Sequence, residues 1–123
     1  MTMAESQAHF SVSKTDGVTV VEFADRKILD ELAISEIQEE LSRLVAEMSS
    51  VKLLLNFKNV EHLSSAALGT LITLNKQVAE RRGEMKLSDI APPIYEVFKI
   101  TRLNKLFSIH PTKQDALGSF KSG

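Results

Sequence analysis

Glu61-His62-Leu63-Ser64-Ser65-Ala66-Ala67-Leu68-Gly69 is the stretch of this chain where side-chain types and spacing best support chemistry. Two adjacent serines precede a run with helical apolar spacing. Serine oxygens accept hydrogen bonds from the free N–H groups of a helix start, so capping is the ordinary reading. The alternative is a phosphorylation site. Unpaired N–H groups and the helix dipole favour an anion at that place, and phosphate brings about −1.5 to −2 charge at neutral pH. Such a charge can block a docking partner without unfolding the domain.

Other chemistry lacks a constellation. His9, His62 and His110 are far apart, with no close ligand pair, so structural or surface roles are expected and no metal site. There is no cysteine, which excludes thiolate nucleophiles, zinc-thiolate sites and disulfides and suits a reducing compartment. The chain has no G-x-x-x-x-G-K-[ST], G-x-G-x-x-G or G-x-S-x-G motif. Glu31, Glu36, Glu39, Glu40 and Glu47 read as the solvated face of one helix rather than an acid/base pair. No cofactor and no intrinsic catalytic activity are expected.

The elements that must position the serines follow from periodicity. Phe10 to Lys14 alternates as a half-buried strand, and Val18 to Phe23 is β-branched and apolar. Asp16-Gly17 between them is a hairpin signal, so the two are expected to be antiparallel. Ala24 to Leu29 reads as a connector. Asp30 is expected to cap an amphipathic helix over Glu31 to Met48. Val51 to Phe57 is nearly continuous apolar sequence, as in a central strand covered on both faces. Lys58 to Leu63 reads as a loop, and Ser65 to Arg82 as a second helix with Gly83 as its C′ residue.

Glu84 to Asp89 then reads as a short strand. Pro92-Pro93 starts a third helix with Ile94, Val97, Phe98 and Thr101 on its apolar side. Leu106 to Ile109 is expected as the last strand, and Thr112 as the cap of a final helix containing Ala116, Leu117 and Phe120. The order β-β-α-β-α-β-α-β-α predicts an α/β fold: a mixed, mostly parallel sheet with an antiparallel N-terminal hairpin and packed helices. Leu41, Leu53, Leu55, Leu71 and Ile72 are expected in its core.

Length and charge set the class. At 123 residues the chain suits one domain, with residues 1–6 a flexible tail and residues 7–120 the folded unit. Hydrophobic residues are 43% and charged residues 25%, the balance of a globular domain rather than a disordered chain. Lys+Arg number 15 against 16 Asp+Glu, which argues against nucleic-acid and polybasic membrane-surface partners. No apolar run is long enough to span a bilayer, and residues 1–10 lack an apolar signal core. A cytoplasmic location is expected.

With these residues in view, the chain resembles STAS domains, and among them the small bacterial anti-sigma factor antagonists. The resemblance runs from about Phe10 to Leu117. It is carried by Leu53 to Val60 followed by Ser64-Ser65-Ala66-Ala67-Leu68-Gly69, by Gly83 to Leu87, by Leu103 to Phe107, and by Ile28-Leu29-Asp30. The family has Asp-Ser-Ser/Thr-Gly-Leu-Gly at the helix start. Aligning Leu68-Gly69 puts Ser65 at the phosphorylated serine, Ser64 at the Asp, and Ala66 and Ala67 at the following Ser/Thr and Gly.

The resemblance implies a phosphorylation-switched protein that sequesters an anti-sigma factor, itself a serine kinase, and so regulates transcription. A serine phosphatase would reverse the switch, and ATP and magnesium would belong to the kinase. The expected docking surface is Asn59, His62 and Leu63 with Thr73, Lys76 and Gln77 of the second helix. Ser64 in place of Asp keeps open a non-phosphorylated STAS scaffold or small-ligand-sensing domain. A receiver domain would need clustered carboxylates for magnesium, whereas Asn56, Lys58 and Asn59 follow the central strand.

Overall fold

Asp16 and Gly17 both adopt positive φ, 52° and 83°. That pair of left-handed residues lets a two-residue turn match the twist of its strands. It joins β1 (Phe10–Thr15) to β2 (Val18–Phe23), which pair antiparallel with Phe10 opposite Phe23 and Thr15 opposite Val18. The computed structural model describes residues 9–120, so the expected tail and the expected boundary at residue 7 lie outside the described residues.

The chain continues through β3 (Lys27–Ile28), α1 (Glu31–Glu47), β4 (Lys52–Asn56), β5 (His62–Leu63) and α2 (Ser65–Glu80). It ends with β6 (Glu84–Ser88), α3 (Pro92–Ile100), a 3-10 turn (Leu103–Lys105), β7 (Ser108–His110) and α4 (Lys113–Ser119). The main sheet has the order β1-β2-β4-β6-β7, antiparallel at β1–β2 and parallel elsewhere. From β2 onward each crossover steps the same way across the sheet. Right-handed crossovers of that kind put α1, α2 and α3 on one face.

The core agrees. Val21, Leu53, Leu55 and Leu87 of the sheet cluster with Leu41 of α1, Leu71 of α2 and Phe98 of α3. Val18, Val20 and Leu54 point the other way and meet Ala116 and Phe120 at α4. Leu53, Leu54 and Leu55 are each 0% exposed, which is why β4 reads as an unbroken apolar run.

Several expectations change. The connector and the loop each hold a two-residue strand, β3 and β5, paired parallel as a separate small sheet. Strands this short have no alternation to read. α2 ends at Glu80, and Arg82 (φ 58°), not Gly83, takes the left-handed C′ position. The N–H groups of Gly83 and Arg82 bond the carbonyls of Val78 and Ala79, both at 2.9 Å. Gly83 is required for a different reason: a Cβ there would sit 2.4 Å from the Val51 Cβ.

Ile72 is 39% exposed and is not a core residue, because Leu71 and Leu74 already fill the sheet-facing side of α2. Val97 is also 39% exposed, and Thr101 is exposed, its hydroxyl donating to the Val97 carbonyl. Ile94 and Phe98 alone are the buried residues of α3. The last strand starts at Ser108, since Leu103–Lys105 winds as a 3-10 turn and turns Leu106 outward, 48% exposed.

Candidate functional site

The candidate site lies where β4 ends and α2 begins. Asn56 is 2% exposed, and its side-chain oxygen accepts from the Lys58 N–H at 2.8 Å. This side-chain-to-backbone turn stops the strand. Asn59 donates its amide to the Phe23 carbonyl at 3.0 Å and ties the loop to the end of β2. The Arg26 carbonyl accepts from Glu61 N (2.7 Å) and His62 N (3.0 Å), and the Ile28 carbonyl accepts from Ser64 N (3.1 Å). Residues 26–28 therefore hold the segment 61–64 by its backbone. Across the same seam Arg26 Nη2 lies 3.4 Å from Glu61 Oε1, an exposed pair of little energetic weight.

Ser64 and Ser65 divide the labour. Ser64 has extended backbone, φ −85° and ψ 169°, and its Oγ accepts from Ala67 N at 3.2 Å. Its carbonyl accepts from Leu68 N, which begins the helical ladder. Ser64 is thus the N-cap. Ser65 is the first helical residue and is exposed, and among the described residues its hydroxyl has no hydrogen-bond partner. Ala66 is exposed beside it, while Ala67 and Leu68 turn inward, 5% and 8% exposed.

One turn on, Gly69 is exposed, and a Cβ built there meets nothing within 4 Å. Internal packing does not require a glycine at this position, although it costs about 1 kcal/mol of helix stability relative to alanine. Ser65, Gly69, Ile72 and Lys76 follow one another at helical spacing and make one outward stripe.

The residues expected to dock a partner separate. Asn59, His62 and Lys76 are exposed and Leu63 is half-buried. Lys76 is eleven residues from Ser65 along α2, about 16 Å at the helical rise of roughly 1.5 Å per residue. Thr73 and Gln77 are half-buried, and Gln77 Oε1 accepts from the Ser42 hydroxyl of α1 at 3.0 Å. Two turns earlier Thr70 donates to Gln38 at 3.1 Å. That side of α2 is occupied by α1.

The open side faces α3 instead. There Glu61, His62, Leu68, Pro93 and Val97 line a groove of about 210 Å³. Sequence reading missed Pro93 and Val97, which it assigned to the start and the apolar side of α3. Only the helix phase, with Ile94 and Phe98 inward, reveals them. It also missed Leu29 and Leu32, 49% and 67% exposed just after the Ile28 carbonyl that holds Ser64. The cavity beneath α2, lined by Phe23, Ile34, Phe57 and Leu71, measures about 20 Å³ and is apolar. That is about the space one water needs.

The histidines do not converge. His62 is exposed, whereas His110 Nε2 sits 3.1 Å from Ser108 Oγ and 3.3 Å from Ser119 Oγ. Burial, with the Lys86 charge nearby, pushes the His110 pKa down. His9 lies between Asp25 and Glu36. Among the described residues no group of three or more metal-ligating side chains forms.

The sequence profile of the STAS domain matches residues 9–116, which span the sheet, the helices and the serine-led start of α2. The chain belongs to the STAS domain family. Relatives of this STAS domain include the anti-sigma F factor antagonist of Paenibacillus polymyxa, 23% identical over 101 residues, 82% of this chain and 85% of that one. A solved STAS anti-sigma-factor antagonist domain protein from Planctomyces limnophilus superposes with a TM-score of 0.82 at 24% identity, covering 89% of this chain and 96% of the other. The phosphorylated form of the Bacillus cell fate determinant SpoIIAA superposes at 0.67 with 17% identity, covering 91% and 99%. Among the described residues of this STAS domain, no helix is long and apolar enough to cross a membrane.

Proposed function

We propose that this STAS domain is an anti-sigma factor antagonist. On this reading it binds an anti-sigma factor with serine kinase activity in the cytoplasm and is released when Ser65 is phosphorylated, with a serine phosphatase restoring it. It is then a substrate and a protein ligand, not an enzyme, and it needs no cofactor of its own. The observation that carries the reading is the division between Ser64, whose oxygen is committed to the cap, and Ser65, which is exposed and whose hydroxyl is unengaged among the described residues. Family membership and the Paenibacillus relative support the partner class.

The physics of the switch is local. A phosphate on Ser65 sits at the positive end of α2 and within reach of first-turn N–H groups, so the fold tolerates it. An interface closing over Ser65 tolerates it poorly, because a dianion without a cationic partner must be desolvated or repelled. The neighbouring surface suits contact: Ile72, Leu29, Leu32 and Val97 are exposed aliphatics, and Gly69 leaves room for close backbone approach.

The test is to incubate the protein with a serine-kinase anti-sigma factor from its own genome and ATP, then locate phosphate by peptide mass spectrometry. Phosphate on Ser65 is expected, absent in Ser65→Ala, which should keep binding, while Ser65→Asp should bind more weakly. Phosphate on Ser64 alone would break the assignment. The second reading, a STAS scaffold that binds without phosphorylation, is favoured by Ser64 standing where relatives of the resembling family have a carboxylate. Tight binding with no phosphate would select it.

A further inference from the structure

His9 carries a pair of contacts that only one protonation state can satisfy. Its Nδ1 lies 2.8 Å from Asp25 Oδ2 and its Nε2 lies 2.9 Å from Glu36 Oε1. A neutral imidazole has one N–H and one lone pair, so it can donate to only one of these carboxylates. The imidazolium donates to both. Asp25 belongs to the connector after β2 and Glu36 to α1, and these are the charged groups that act on the ring among the described residues. The His9 carbonyl also accepts from Ala24 N at 2.8 Å, so backbone and side chain grip the same connector.

That connector leads directly to the serines. The Arg26 carbonyl holds the amides of Glu61 and His62, and the Ile28 carbonyl holds the amide of Ser64. We propose that His9 is a proton-operated staple: as imidazolium it fastens the connector to α1 and thereby holds the Ser64–Ser65 start of α2, and on losing its proton it loosens that start. The consequence for docking rests on the reading of Ser65 above; the coupling of His9 to the Ser64 amide does not.

The direction of the pH effect follows from linkage. Burial, the largest single influence, lowers the His9 pKa, but the hydrogen bonds and charges of Glu36 and Asp25 outweigh it and raise the pKa above the ordinary 6.5. A group whose pKa is raised on folding contributes stability that is fully present below its unfolded pKa. That contribution is lost as pH rises through the folded value. The hold on Ser64 is therefore firm in mildly acidic solution and weakens on the alkaline side of the His9 midpoint.

The experiment uses the whole protein and needs no partner. NMR follows the His9 ring and the exchange protection of the Glu61, His62 and Ser64 amides from about pH 5 to about pH 9, the range over which a raised histidine titrates. The expected result is a His9 midpoint above 6.5, with protection of these amides falling several-fold across it and protection of the Ala116 amide, whose bond to the Thr112 carbonyl opens with the short α4 and leaves His9 in place, unchanged. His9→Gln should remove the step and leave the protection low throughout. Glu36→Gln should move both the midpoint and the step to lower pH together, and it carries the test if His9→Gln folds poorly. A midpoint at or below the ordinary value, or protection that stays flat while the ring titrates, overturns the proposal. Absence of phosphate on Ser65 would leave it standing, because no readout here depends on phosphorylation.

Discussion

Asp30 and Ser64 start α1 and α2 with the same geometry. Each has extended backbone, each side chain accepts from the N–H three residues on (3.0 Å to Ala33 and 3.2 Å to Ala67), and each carbonyl takes the next amide. Their charges differ. The α1 start carries the Asp30 cap and Glu31 in its first turn, whereas the α2 cap is a neutral serine and its first turn has no acidic residue. Negative charge already answers the dipole of α1, and no residue of the α2 cap or first turn does so. The difference teaches that α2, alone of the two, has electrostatic room for an added phosphate.

Both helix starts rest on the same core, which sets the scale for breaking the comparison. Leu55→Ala should lose about 2–5 kcal/mol in a denaturant titration, because Leu55 is 0% exposed in the central strand. A loss near zero would mean the two starts do not share one packed support. Next come the caps. Asp30→Ala and Ser64→Ala should each cost about 0.5–2 kcal/mol. Only the Asp30 loss should shrink when thermal melts are repeated in high salt, since a charge near a helix end is screened and a neutral hydrogen bond is not. Equal salt sensitivity would erase the distinction.

Gly69→Ala tests the surface beside Ser65. It should stabilise the free protein by up to about 1 kcal/mol while weakening binding to the anti-sigma factor proposed as its partner, two readouts that move in opposite directions. Higher melting temperature with unchanged binding would show that no partner closes over this position. The smallest expected effect is that of Ser64→Asp, which gives α2 the charge α1 already has. It should add about 0.3–1 kcal/mol at low ionic strength, measured as a rise in melting temperature. If Ser64→Asp destabilises the fold, the α2 start is not the electropositive one.

Parts of this protein were legible because their signals are local. Asp16-Gly17 signalled a tight reversal, and Leu53-Leu54-Leu55 read as a strand covered on both faces, as they are. Asp30, Ser64 and Thr112 were readable as helix-start residues, and all three caps form. The site was legible as a segment but not as a surface. Thr73, Lys76 and Gln77 look equivalent along the chain, yet Gln77 is bonded to Ser42 of α1 while Lys76 is open.

The order of the main-sheet strands and the helices, the hairpin and the two candidate serines came from the sequence alone, because apolar periodicity, turn chemistry and capping are set by neighbours a few residues away. Tertiary structure decided which serine caps and which is free, which side of α2 is covered, and that His9 reaches both Asp25 and Glu36, 16 and 27 residues distant. It also made β3 and β5, two-residue strands held by the carbonyls of Arg26 and Ile28. Contacts between backbone groups more than thirty residues apart leave no mark on local side-chain pattern, so only the folded chain could bring them together.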